Sequence, residues 1–151
     1  MISVLIETKD DEEGLAKTLA SLVSGAVEGL VREVIVCDLG SSDGTETVAE
    51  HAGCIFLAGT RCEEAVAGAR SEWVLMLKPG ARLAPGWVEA AREHVAAAES
   101  PAIFSRSRQS ELPFWSKWLK RRERFAEGLL MRRTSSMKVR PLRLRAEIHA
   151  V

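Results

Sequence analysis

The chain has no apolar run approaching ~20 residues, so a membrane-spanning helix is not expected. It opens directly in strand-like sequence, without the basic, apolar and small-residue succession of a secretory leader, so none is expected. Cysteine is scarce: Cys37, Cys54 and Cys62 are odd in number and lack the close pairing of a metal-binding motif. They read as buried or free thiols of a reducing compartment rather than as zinc ligands or disulfides. No internal repeat and no low-complexity linker divides the chain. Net charge is absent as well, with 21 Lys and Arg against 21 Asp and Glu. That zero hides a split. Residues 1–100 carry 8 basic and 17 acidic side chains, a balance of −9, and residues 101–151 carry 13 and 4, a balance of +9. An acidic body and a basic tail suggest an anionic partner for the tail; the alternative is mutual neutralisation of the two halves across the fold.

What is present describes one globular domain. At 151 residues, with 46% apolar and 28% charged content, the chain can bury a proper core but is short for two. The most informative stretch is Glu33 to Thr45, EVIVCDLGSSDGT. Val34, Ile35 and Val36 form a β-branched run suited to a strand buried on both faces. The run ends in a small, polar, glycine-bearing turn, after which Asp43 fits a helix N-cap with Glu46 as its capping-box partner. Strand, polar turn and capped helix describe the carboxyl end of a parallel strand, where ligands of open α/β sheets bind.

The remaining elements follow in order. Ile2 to Thr8 reads as a first strand, and the acidic run Asp10 to Glu13 suits the first turn of a helix. Leu15, Leu19, Leu22 and Val23 give that helix an apolar face, with an end expected near Gly25. A helix from about Thr45 to Ala52, a strand at Cys54 to Ala58, an alanine-rich helix between Arg61 and Arg70 and a strand at Trp73 to Leu77 come next. The turn Lys78-Pro79-Gly80-Ala81-Arg82 and a helix opening at Pro85-Gly86 follow. This alternation predicts a single doubly wound, mostly parallel α/β sheet flanked by helices. Beyond Pro101, strands are expected at Ala102 to Ser105 and Gly128 to Arg133. Between them Trp115, Trp118, Leu119 and Phe125 can share one helical face, with Lys117, Lys120, Arg121 and Arg124 largely elsewhere. Residues 134–151 show little period besides Leu142 and Leu144, so a weakly structured basic end is expected.

In strand order and turns the chain resembles the family 2 glycosyltransferases of the GT-A fold, closely over residues 1 to about 95 and loosely over 100 to 133. Ser3 to Ile6, Thr8 and the Asp10 to Glu13 cluster look like the family's opening strand and nucleotide-facing loop. Glu33 to Thr45 is similar to its second strand and Ser-Ser-Asp-Gly-Thr helix start. Trp73 to Leu77 and Arg82 to Trp87 flank the position of its metal-binding turn, and Gly128 to Arg133 resembles a later strand near the acceptor site. The resemblance implies a GT-A-like domain over 1–133, with a nucleotide-binding half at 1–100 and a reduced acceptor half at 101–133. It implies a nucleotide-sugar donor, with Thr8, Asp10, Asp11 and Asp38 toward the base and ribose.

The sequence departs from that pattern at the metal turn. Lys78-Pro79-Gly80-Ala81 contains no carboxylate, and a protonated lysine cannot ligate a divalent ion. A bound Mn or Mg ion is therefore not expected, and Lys78 and Arg82 are the candidates to meet the diphosphate instead. Leu39 stands where the family commonly has a polar or acidic residue, little chain follows Arg133, and no catalytic base is marked. Each site residue also has a plainer reading: Asp38 as a turn-former bonding its own backbone, Asp43 as a cap, Asp10 and Asp11 as helix-entry acids, Lys78 and Arg82 as a solvated loop. His51, His94 and His149 share no motif and receive no chemistry. Two functional readings stay open. One is a glycosyltransferase transferring a sugar without a carboxylate-held metal. The other is a non-catalytic glycosyltransferase-like module that uses residues 113–133, with Trp115, Lys117, Trp118, Lys120 and Arg121, to meet a membrane surface, a protein partner or a second copy. Nucleic acid is not an expected partner. The expected location is the cytoplasm, free or at the inner face of the membrane.

Overall fold

The computed structural model describes residues 1–106, 128–135 and 141–149. The chain runs β1 (Ile2–Thr8), α1 (Glu12–Val27), β2 (Val31–Asp38), α2 (Thr45–His51), β3 (Ile55–Ala58) and α3 (Cys62–Ala65). A 3-10 turn at Val66–Gly68 leads into β4 (Trp73–Leu77), β5 (Arg82–Leu83), α4 (Trp87–Ala97), β6 (Ala102–Arg106), β7 (Leu129–Arg132) and β8 (Leu142–His149). Eight strands form one curled sheet in the order β3-β2-β1-β4-β7-β6-β8-β5. The first four are mutually parallel, β7 runs antiparallel to β4 and β6, and β8 runs parallel to β6 and antiparallel to β5. Six carboxyl ends, those of β1, β2, β3, β4, β6 and β8, thus lie on one edge of the sheet.

Apolar layers cover both faces, as a doubly wound sheet requires. Every residue of β4 is buried, which marks it as the central strand. On one face Val4, Ile6, Val36 and Leu75 pack against Leu15 and Leu22 of α1, Ala49 of α2 and Trp87, Val88 and Ala91 of α4. On the other, Leu5, Ile35, Cys37 and Met76 meet Cys62, Ala65, Val66 and Ala69. Each fully buried aliphatic side chain here contributes roughly 1.5–3 kcal/mol.

Helix α1 shows how local sequence sets these contacts. Asp11 caps its start by accepting the Gly14 amide at 2.9 Å. It passes the expected stop at Gly25, because the left-handed residue that ends it is Gly29, with φ +71°. Leu30 N donates to Gly25 O at 2.9 Å and Gly29 N to Ala26 O at 3.1 Å, the paired bonds of a Schellman ending. Gly25 is instead buried inside the helix, where a Cβ would stand 2.5 Å from ring carbons of Trp87. That close approach seats the Trp87 indole, whose Nε1 donates to Ser24 Oγ at 3.1 Å.

The carboxyl-terminal expectation is corrected by β8. Residues 142–149 are a strand of the main sheet: Leu144, Ala146 and Ile148 are buried while Arg143, Arg145 and Glu147 are exposed. A period of two was present, but charged residues at every second position and an exposed Leu142 weakened its apolar signal. The 61–70 helix is shorter than expected, four residues and a 3-10 turn, and Arg82 opens a strand rather than closing a turn.

Candidate functional site

The sheet edge carrying the carboxyl ends gathers the residues singled out from sequence. Thr8 and Asp38 are register partners at the ends of β1 and β2. They stand on the face whose deeper positions are Ile6 and Val36, so both are buried, at 2% and 4% exposure. Their chemistry differs. Asp38 accepts Gly40 N at 3.0 Å and Ser41 N at 2.9 Å on Oδ2, and the Ser41 hydroxyl on Oδ1. Burial pushes its carboxyl up, but the Ser41 hydroxyl and the Ser41 and Gly40 amides outweigh it and hold the pKa below the ordinary value. A carboxylate offers about four acceptor positions, so Asp38 spends most of its capacity on its own loop. Thr8 Oγ1, by contrast, has no hydrogen-bond partner although it is buried.

The two loops above these ends are tied together. Asp10, held at φ +48°, accepts Ser42 N at 2.7 Å and Ser42 Oγ at 3.2 Å, and its own amide donates to Ser41 Oγ at 2.8 Å. Glu12 N donates to Asp43 Oδ2 at 3.1 Å. Asp43 also accepts the Thr45 amide at 3.1 Å and hydroxyl at 2.5 Å, and the Thr45 hydroxyl leads the bonds that lower its pKa. It therefore makes an Asx-type turn one residue before the helix cap, which is Gly44 rather than Asp43. Asp10 and Asp11 are thus occupied with loop bracing and helix capping.

Lys78 and Arg82 lie on the other side of β1, past the end of β4. Residues 78–81 make a β-turn closed by Ala81 N donating to Lys78 O at 3.2 Å, and Gly80 N ties the turn to Gly14 O of α1 at 2.9 Å. Lys78 is half-buried and Arg82 exposed. Among the described residues neither has an ion-pair or side-chain hydrogen-bond partner. The edge is therefore divided into carboxylates and hydroxyls over β1 and β2 and cations beyond β4. The Trp115, Lys117, Trp118, Lys120 and Arg121 cluster lies outside the described residues. No helix among the described residues is long and apolar enough to cross a membrane.

No family model matches the chain, and no curated protein matches it. Solved structures do. Glucosyl-3-phosphoglycerate synthase from Mycobacterium tuberculosis superposes with a TM-score of 0.64 at 20% identity, over 88% of this chain and 57% of that one. The chain has the GT-A fold. The same synthase in complex with Mn2+ and UDP-glucose gives a TM-score of 0.64 at 19% identity, over 88% and 56% of the two chains. Its complex with Mn2+, UDP and glucosyl-3-phosphoglycerate gives 0.62 at 19%, over 88% and 57%. The chain spans a little over half the length of these structures.

Mn2+ or Mg2+ is present in several of these neighbours, so the β4 end bears testing as a cation site. It offers no carboxylate, and its Lys78 carbonyl already accepts Ala81 N and, at 3.4 Å, Thr18 Oγ1. Among the described residues no three His, Cys, Asp or Glu side chains converge as metal ligands. The donor set does not fit a hard divalent ion.

Sequence reasoning located Thr8, Asp38, Lys78 and Arg82 on the same edge. It missed Ser41 and Ser42 as the braces between loops, since those bonds join residues about thirty apart, and it did not foresee that His149 lies opposite Arg82. The register pairs His149 with Arg82; the alternation leading up to it was the available signal.

Proposed function

We propose that the chain binds a nucleotide-sugar donor at the carboxyl ends of β1, β2 and β4 and is a glycosyltransferase-like protein. One observation carries the reading: Thr8 Oγ1 is a buried hydroxyl without a partner at the very edge where α/β sheets bind ligands. An unmade buried hydrogen bond costs about 1–3 kcal/mol, and a donor whose binding parts the loops over β1 and β2 relieves it with its base or ribose. The fold adds support, since its solved neighbours include complexes with UDP-glucose and UDP. Asp38 has room for one further bond, so it serves chiefly to shape the loop under the ligand.

In the catalytic version of this reading, an acceptor hydroxyl attacks the sugar's anomeric carbon, the bond from that carbon to the nucleoside diphosphate oxygen breaks, and the hydroxyl proton leaves to the departing diphosphate. Negative charge grows on the departing oxygens, and Lys78 and Arg82 stabilise it without a metal. Titration calorimetry with UDP and GDP, each with and without Mn2+, tests the donor reading. Binding of either nucleotide without metal supports it. Metal-dependent binding relocates the metal site to carboxylates away from the β4 end. Absence of binding under every condition refutes it and favours the second reading, a non-catalytic module, which the carboxylate-free β4 turn also supports.

A further inference from the structure

The sheet curl brings a third basic residue to the β4 end. β5 begins at Arg82, one residue beyond the turn that closes on Lys78, and β5 is also the last strand in hydrogen-bonded order. Its antiparallel partner is β8, with Arg82 opposite His149 and Leu83 opposite Ile148. Directly opposed antiparallel residues share a sheet face at a Cα separation of about 4.5–5.5 Å, and a β-turn holds its first and last Cα within about 7 Å. Arg82 and His149 are therefore facing neighbours on two strands, and Lys78 opens the turn that leads into Arg82. His149 is half-buried. None of the three has an ionic partner among the described residues. The remaining charges on that face of β8 are Arg143, Arg145 and Glu147, all exposed, so one carboxylate stands among the basic groups.

Lys78 and Arg82, without ionic partners among the described residues at a ligand-binding edge, repel divalent cations. They attract a polyanion, and most strongly one whose charge has not already been neutralised. We infer that Lys78 and Arg82, with the His149 ring beside Arg82 as a further hydrogen-bonding group, form one basic site that takes the diphosphate of a nucleoside diphosphate in its metal-free form, so that divalent metal competes with binding instead of supporting it. The inference rests on the donor reading above and adds to it the ionic form of the ligand, the part played by β8, and the sign of the metal effect.

The test is calorimetry of the full chain with UDP and with uridine, in EDTA and in excess Mn2+. UDP binds more tightly in EDTA, and saturating Mn2+ weakens it by about three- to tenfold. Single variants Lys78→Ala, Arg82→Ala and His149→Ala each weaken UDP by about three- to tenfold in EDTA, the modest size reflecting solvent exposure. They leave uridine affinity unchanged, because uridine carries no phosphate. Arg82→Lys keeps most of the affinity, and unchanged melting temperatures show that the variants are folded. If Mn2+ strengthens UDP binding, or the three variants bind UDP like the parent, the inference fails while the donor reading stands. If neither UDP nor uridine binds, both fail.

Discussion

Replacing Asp38 with alanine separates a scaffolding carboxylate from one that serves only a ligand. The substitution removes three hydrogen bonds, to Gly40 N, Ser41 N and Ser41 Oγ, from an acceptor only 4% exposed. Bonds to a charged acceptor contribute about 1.5–3 kcal/mol each when fully buried. Gly40 is exposed and Ser41 half-buried, so their donors recover water, and the net loss is about 2–3 kcal/mol. For a domain of this size each kcal/mol shifts Tm by roughly 2–4 °C, giving a fall of roughly 4–12 °C. Asp38→Asn keeps one acceptor oxygen and falls between the two. The pH dependence has a definite sign. The folded-state pKa lies below the reference value of 3.8, so the stabilisation is present above that reference and is lost as pH falls through the folded value. The gap between parent and variant in urea unfolding is therefore full at pH 7 and closes on acidification below about pH 4. A variant within about 0.5 kcal/mol of the parent at pH 7, or a gap that widens in acid, would refute the scaffolding argument. Unchanged stability with lost UDP binding would make Asp38 a ligand contact instead.

Other outcomes follow from single features. Gly25→Ala places a Cβ 2.5 Å from the Trp87 ring; urea unfolding should show a net loss of about 1–3 kcal/mol, despite a helix-propensity gain of about 1 kcal/mol. Gly68→Ala, with nothing within 4 Å of the new Cβ, should stay near neutral in the same assay. Thr8→Val removes the orphaned hydroxyl at constant shape, so thermal stability should hold or rise by up to about 1 kcal/mol while UDP affinity falls; unchanged affinity would exclude the hydroxyl from the site. A hydrogen bond donated by the Cys62 thiol to Cys37, with burial, raises the Cys62 thiol far above its ordinary range, and both cysteines are fully buried. Thiol titration of the native protein should accordingly modify half-buried Cys54 first, and Cys37 and Cys62 only on unfolding.

Much of the parallel half is legible in the sequence because its signals are local. Val34 to Val36 and Trp73 to Leu77 are continuous apolar runs, as strands covered on both faces must be. The acids before α1 and the polar turn after β2 announce helix starts within a few residues of where they fall. The bracing of the site is not local. Asp10 to Ser42 and Glu12 to Asp43 bonds span about thirty positions, and no window of sequence reveals them. Gly25 looks like a helix stop until Trp87 is brought against it from sixty-two residues away. Strand β8 alternates correctly, yet its partners β5 and β6 lie far upstream and its outward side is charged or polar, with arginine at two of its four positions. A strand that owes its place to distant partners carries a weak local signature.

The β5–β8 pairing also bears on how the molecule reaches its working form. The parallel unit β3-β2-β1-β4 draws only on residues 2–77, so its contacts close early and over modest loops. Arg82 cannot meet His149 until the chain has closed a loop of sixty-six residues. Loop closure of that span is an entropic cost met before any contact repays it. The acidic, hydroxyl-lined half of the edge should therefore acquire hydrogen-exchange protection first during refolding, and the basic half last. Ligand competence would then lag behind compaction, so a chain that already looks folded to far-UV spectroscopy would still be waiting for its final strand.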